Sequence, residues 1–155
     1  MKNDTVVILH NVRSAHNVGS IFRTADAAGV SNIYLTGYTS RPIDRFGRVQ
    51  KEIAKTALGA EKTVPWEYVR SLRGLLNALK KEGRHIIGVE QDRRSENYRA
   101  ALPPCRAFIF GNEVIGLSKS VRDSCDTLIE IPMRGKKESL NVSVATGIAL
   151  YSLIQ

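Results

Sequence analysis

A chain of 155 residues is long enough for one domain with a sizeable core, and 43% apolar with 25% charged residues excludes a disordered or fibrous class. The formal charge of +8 points to a polyanionic partner, most simply nucleic acid, rather than to a small metabolite alone. Cys105 and Cys125 form no CxxC and have no histidine at ligand spacing, which disfavours a metal site or a disulfide framework; no apolar run spans a bilayer and residues 1–5 lack a signal peptide's apolar stretch, so a cytoplasmic protein with no membrane partner is expected.

In chain order, Thr5 to His10 is a β-rich run and reads as the first strand. Residues 11–19 are polar and turn-prone. Ser20 to Ala28 then has helical spacing, with Ile21, Ala25 and Ala28 on one side and Gly29 as the stop. Asn32 to Thr36 is a second strand, which completes a β–loop–α–β unit of a parallel sheet. Residues 37–47 read as loop. Arg41, Arg45, Arg48, Lys51 and Lys55 recur every three or four residues, which would gather cations on one face. That face is either a solvated surface or one that tracks phosphates.

Lys62 to Pro65 reads as a short strand or an extended link, and Trp66 to Glu82 as an amphipathic helix burying Leu72, Leu75, Leu76 and Leu79. His85 to Val89 is a strand, and Asp92 to Ala101 a basic loop with a helical turn. Ala107 to Phe110 is wholly apolar and suits the buried centre of a parallel sheet. Gly111 to Ser118 nearly matches a phosphate-binding P-loop, but Leu117 stands where the lysine is needed, so an NTPase is rejected. No complete G-x-G-x-x-G follows the first strand, which disfavours a dinucleotide site. Ser118 is placed to cap a helix running through Cys125.

Thr127 to Ile131 reads as a buried strand that crosses a polar turn and enters a helix from Asn141 to Gln155. Two readings of the turn stand: a ligand-binding loop at a helix start, or an ordinary strand–turn–helix with a Ser/Asn cap. The last helix is apolar nearly all round, through Val142, Val144, Ile148, Leu150, Leu153 and Ile154, and is expected to pack partly against a second subunit.

Three segments, Asn11 to Ala25, Phe110 to Leu117 and Ile131 to Ala145, each follow a strand. Together, in this order and spanning nearly the whole chain, they resemble the three motifs of the SpoU/TrmH family of S-adenosylmethionine-dependent RNA 2′-O-ribose methyltransferases, in the SPOUT superfamily. The resemblance implies a single 1–155 SPOUT domain: an α/β fold with a parallel sheet flanked by helices and a C-terminal trefoil knot. It also implies a homodimer. No appended N-terminal RNA-binding domain of the kind larger members carry is expected.

Carried over from the family, the cofactor S-adenosyl-L-methionine would meet Val89, Glu90, Gly111, Glu113, Gly116, Ile131, Met133, Ser139 and Leu140, largely through main-chain groups. Arg23 would be the central catalytic residue, with Asn17, Glu113, Ser139 and Asn141 around it. A free guanidinium stays protonated at neutral pH, so Arg23 is expected to bind the phosphate beside the target ribose and stabilise the developing alkoxide, as an alternative to the family's usual assignment as base. His10 and His16 lie nearby in sequence, but no motif requires either. Arg13, Arg41, Arg45, Arg48, Lys51, Lys136 and Lys137, with Arg93, Arg94, Arg134 and Lys55, form the candidate surface for tRNA or ribosomal RNA, and Tyr38 or Phe46 could stack on bases. Two other readings remain: a non-catalytic RNA-binding or assembly module of the same fold, and a relative that methylates a base.

Overall fold

Alternation of apolar residues along the strands decides where each helix packs. The computed structural model describes residues 4–154. The elements are β1 (Asp4–His10), α1 (Ala15–Ala28), β2 (Asn32–Thr36), α2 (Lys51–Ala57), α3 (Ala60–Thr63), β3 (Trp66–Tyr68), α4 (Leu72–Lys81), β4 (His85–Val89), β5 (Glu96–Asn97), β6 (Cys105–Phe110), α5 (Lys119–Ser124), β7 (Thr127–Glu130) and α6 (Val142–Tyr151). The seven strands form one sheet in the order β3-β2-β1-β6-β4-β7-β5, and every pairing is parallel.

Val7, Leu9, Phe108 and Phe110 face one apolar layer with Val18, Ile21 and Phe22 of α1 and Ala149 and Leu150 of α6. Val6, Ile8, Ala107 and Ile109 face the other, with Leu75, Leu76 and Leu79 of α4. Covering both faces is what lets β6, the central strand, be apolar along nearly its whole length. Asn141 bonds Asn17, and a side chain on Gly147 would touch Thr24, so α6 lies along α1 in the same direction. Both helices therefore start at the C-terminal ends of the strands, the edge where open α/β sheets bind ligands. Among the described residues, no helix is long and apolar enough to cross a membrane.

Several boundaries differ from the sequence expectation. The first helix begins at Ala15, because the Ser14 hydroxyl accepts from the Asn17 N–H and caps it five residues before Ser20. Trp66 to Tyr68 is an edge strand on β2, and the helix starts only after Ser71 caps Gly74. The apolar spacing continued through both, and tertiary pairing overrode it. Residues 60–63 are a helical turn, so only the end of the expected link is extended. Residues 92–101 hold turns and the two-residue strand β5 in place of a helical turn. Arg41, Arg45 and Arg48 sit in an irregular segment, so they share no helical face with Lys51 and Lys55. The last helix stops at Tyr151, and Gln155 lies outside the described residues.

Candidate functional site

One cleft opens at the C-terminal edge of the sheet, between the ends of β4, β6 and β7. All nine of the expected cofactor residues line it: Val89, Glu90, Gly111, Glu113, Gly116, Ile131, Met133, Ser139 and Leu140. Among the described residues, the lining also holds Glu130 and Glu138 but no Lys, Arg or His. In a chain of charge +8, that makes the cleft an acidic hollow in a basic surface.

Glu90 shapes one wall. Its Oε2 accepts from the Leu117 N–H (2.8 Å) and its Oε1 from the Gln91 N–H (3.1 Å), which ties the loop after β6 to the end of β4. Gly116 is left-handed (φ +65°), and a Cβ there would run into the Glu90 carboxylate. Asn112 anchors the same loop on its other side. Its Nδ2 donates to Asn11 O (3.0 Å) and to the Tyr38 hydroxyl (2.9 Å), while its Oδ1 accepts from the N–H groups of Val114 and Ile115. From the third loop, Glu138 O accepts from Gln91 Nε2 (2.8 Å). Gln91 and Asn112 were not among the expected site residues. Asn112 had a signal, since it adjoins Glu113 in the second motif; nothing in the sequence marks Gln91.

Glu113, Asn17 and Asn141 join the three motifs into one polar network. Glu113 Oε1 accepts from the Ser14 N–H (3.0 Å) and Oε2 from the Arg13 N–H (3.2 Å), at the start of α1. Asn17, buried at 9% exposure, sets its amide near Glu113 and accepts from Asn141 Nδ2 (3.1 Å). Asn141 Oδ1 in turn caps α6 through the Ser143 N–H (2.8 Å). Burial alone would raise the Glu113 pKa, but the N–H groups of Ser14, Glu113 and Arg13 and the Asn17 amide outweigh it and hold the carboxyl below its ordinary value. A depressed pKa contributes stability above the unfolded value of 4.5 and loses it as pH falls through the folded value. Glu113→Gln is therefore expected to cost about 0.5–1 kcal/mol at pH 7, the range for a partly exposed, solvent-screened carboxylate at a helix start. In urea denaturation that difference from wild type should shrink at pH 3.5; a difference that is constant with pH would contradict the assignment.

The remaining expected residues are less closely gathered. Ser139 is exposed at the cleft rim. Arg23 is exposed, forms no hydrogen bond or ion pair among the described residues, and lies six residues along α1 from Asn17, roughly 9 Å of rise. Arg13, Arg45, Arg48, Lys51, Lys136 and Lys137 are all exposed, on the segments that follow β1, β2 and β7. Arg41 is half-buried, with its guanidinium 3.8 Å from the centre of the Tyr68 ring. Arg94 is committed to Asp92 (3.0 Å) and Asp123 (2.9 Å), and these guanidinium contacts push its own pKa upward.

His16 is exposed on α1. His10 is half-buried and hydrogen-bonded at both ring nitrogens. Asn11 Oδ1 accepts from the Tyr38 N–H, so the Asn11 amide donates to His10 Nε2 (3.3 Å) and His10 Nδ1–H donates to Thr36 Oγ1 (2.8 Å). Burial lowers its pKa, in keeping with a neutral ring. Cys105 and Cys125 are half-buried and free, and burial pushes the Cys125 thiol up to about 11.

Comparison with known proteins adds three findings. The model of the SpoU rRNA Methylase family matches residues 4–151. The chain is 37% identical over 150 residues to a 23S rRNA (guanosine-2′-O-)-methyltransferase RlmB from Ralstonia nicotianae and 39% identical over 150 residues to the Shewanella oneidensis RlmB, covering 97% of this chain and 58% of each relative. It thus spans somewhat over half the length of the curated relatives it matches. Among solved structures, an AdoMet-bound rRNA methyltransferase from Sinorhizobium meliloti superposes with a TM-score of 0.88 at 29% identity, covering 98% of this chain and 56% of that one. An A. aeolicus TrmH/SpoU tRNA modifying enzyme gives 0.84 at 32% identity, covering 97% of this chain and 74% of that one.

Proposed function

Because this chain belongs to the SpoU rRNA methylase family, we propose that it transfers a methyl group from S-adenosylmethionine to a ribose 2′-hydroxyl of a structured RNA, ribosomal RNA or tRNA. The observation that carries the reading is the acidic cleft in a basic protein. Glu90, Glu113, Glu130 and Glu138 favour a ligand bearing a sulfonium and an ammonium, and disfavour a nucleotide phosphate there. The surrounding cations favour RNA outside it. Gly111 and Gly116 let the cleft wall close up, since a Cβ at Gly111 would meet the Gly116 backbone and one at Gly116 the Glu90 carboxylate.

When bound, the cofactor supplies an electrophilic methyl group; the chain supplies position and charge. Glu113 accepts at both oxygens from the start of α1 and is held ionised, which suits a clamp between the first two motifs better than a proton acceptor. Asn17 and Asn141 hold the third loop against the first. Arg23, unpaired and outward, is suited to the RNA phosphate beside the target ribose and to the oxygen as it loses its proton. Ser139 stands at the rim where the two substrates meet.

The backbone reading includes a trefoil knot. It is supported by β6 and β7 flanking β4 while the loops after both are bonded to Glu90 and Gln91 at the end of β4. The homodimer is supported by α6, whose Val144 and Tyr151 are each 49% exposed, and by Val114 and Ile115 at 90% and 76%. Acting on RNA, the enzyme belongs in the cytoplasm.

Incubation with labelled cofactor and separate ribosomal RNA and tRNA pools, followed by mass spectrometry of the nucleosides, should yield a 2′-O-methylated nucleoside from one pool. Cofactor binding with no methyl incorporated would favour the non-catalytic module; a methylated base would move the enzyme to the base-modifying class. RNA affinity should fall about 10³-fold between 50 and 200 mM salt if some six phosphates are neutralised. A flat response would argue against the basic rim as the RNA surface.

A further inference from the structure

The segment between β2 and α2 is a built hairpin. Ile43 and Val49 form an antiparallel bridge, and the Gln50 N–H donates to Pro42 O (2.9 Å). At its tip the Gly47 N–H donates to Asp44 O (3.0 Å) and the Asp44 N–H to Arg48 O (2.9 Å), with Gly47 left-handed at φ +77°. This is the geometry of a three-residue hairpin loop closed by a glycine bulge. Asp44 holds the tip from inside: Oδ1 accepts from the N–H groups of Phe46 (2.8 Å) and Arg48 (3.0 Å), and Oδ2 from Arg48 Nε (2.8 Å).

What this scaffold presents is Phe46, 67% exposed, with the guanidinium carbons of Arg45 and Arg48 at 4.8 and 5.1 Å from its ring centre. A large apolar ring held out in water costs free energy unless something covers it, and among the described residues only the two guanidinium groups lie against it, leaving 67% of Phe46 exposed. The hairpin leaves from the site itself, since Tyr38 at its base bonds Asn11 and Asn112. Tyr38 and Arg41 are engaged in the scaffold and Arg48 gives it its Nε, which leaves Phe46, Arg45 and the Nη groups of Arg48 as its contact surface.

We propose that the 42–50 hairpin is a nucleotide-reading finger, in which an unpaired RNA base stacks on Phe46 while Arg45 and Arg48 meet the phosphates on either side of it. The proposal rests on the RNA methyltransferase reading and adds to it the class of RNA: one with an unpaired nucleotide beside the methylated ribose. A π-face and two cations fit a single-stranded nucleotide; a continuous duplex buries its base faces and offers phosphate alone. The fixed tip keeps the ordering cost on binding low.

The test is binding of the full chain to two fluorescent RNAs, a stem with a seven-nucleotide loop and a blunt duplex of the same stem, with isothermal titration of S-adenosylmethionine alongside. Wild type should prefer the looped RNA. Phe46→Ala should weaken looped-RNA binding about tenfold, leave duplex binding within twofold and leave cofactor affinity unchanged; Phe46→Trp should restore the preference. Arg45→Gln should lower the slope of log affinity against log salt by about one on the looped RNA. An unchanged Phe46→Ala, or an equal loss on both RNAs, overturns the finger while wild-type methylation still stands. A wild type that binds neither RNA and methylates no pool overturns the parent reading and the finger with it.

Discussion

Arg23→Ala is expected to abolish methyl transfer while leaving S-adenosylmethionine binding nearly intact. The side chain is exposed and unpaired, and alanine is a stronger helix former than arginine, so the substitution leaves α1 and the core undisturbed. On the proposed reading it removes a cation that meets the RNA phosphate and the developing alkoxide. Losing one such stabilising group costs about 10²–10³-fold in turnover, and losing the phosphate contact with it lowers occupancy by RNA as well. Arg23→Lys should recover only part of the rate, because an ammonium lacks the planar fork that grips two phosphate oxygens. Labelled-methyl transfer and cofactor titration on the same preparations read the two effects separately. Turnover within a few-fold of wild type in the alanine variant would sink the assignment.

Gly111→Ala should cost the protein its cofactor site. A Cβ at Gly111 would stand 2.7 Å from the carbonyl carbon of Gly116 and 2.8 Å from its oxygen, and backbone atoms have no rotamer to escape into. Gly116 has little room to give way, because its other side abuts Glu90. The loop from 111 to 117 must therefore shift, at about 1–3 kcal/mol of overpacking strain. A displacement on the order of 1 Å in the groups that position a reactant costs about 10²-fold. The methyl-transfer rate is expected to fall by that factor, with weaker S-adenosylmethionine binding and a lower melting temperature. Gly135→Ala is the control, since nothing lies within 4 Å of a Cβ there. Equal affinity and melting temperature in Gly111→Ala and wild type would show that the close approach is tolerated.

Much of the framework could be read along the chain. The runs at 5–10, 32–36, 85–89 and 107–110 are strands because their apolar residues face helices on both sides, and local β-rich composition reports that directly. Leu117 in place of lysine excluded the P-loop from residue type alone. The edge strand Trp66–Tyr68 was hidden because its residues continue the spacing of α4, and only pairing with β2 decides their conformation. The same holds for residues 15–19, where a polar, turn-prone composition concealed a capped first turn.

The sequence by itself determined the parallel α/β class, the three motif segments and the excess positive charge, since composition and residue order carry all of these. Only the tertiary structure decided that four glutamates and no described Lys, Arg or His line one cleft, and that Asn17, Glu113 and Asn141 lie together. Those residues are far apart in the chain and converge because a parallel sheet brings the ends of all its strands to one edge. The opposite outcome for the basic residues has the same origin. A regular spacing from Arg41 to Lys55 suggested one charged face, but the Asp44 turn folds Arg45 and Arg48 around Phe46 and the β3 edge draws Arg41 onto Tyr68. Charge count is a property of the chain; its arrangement depends on which backbone and ring each guanidinium meets.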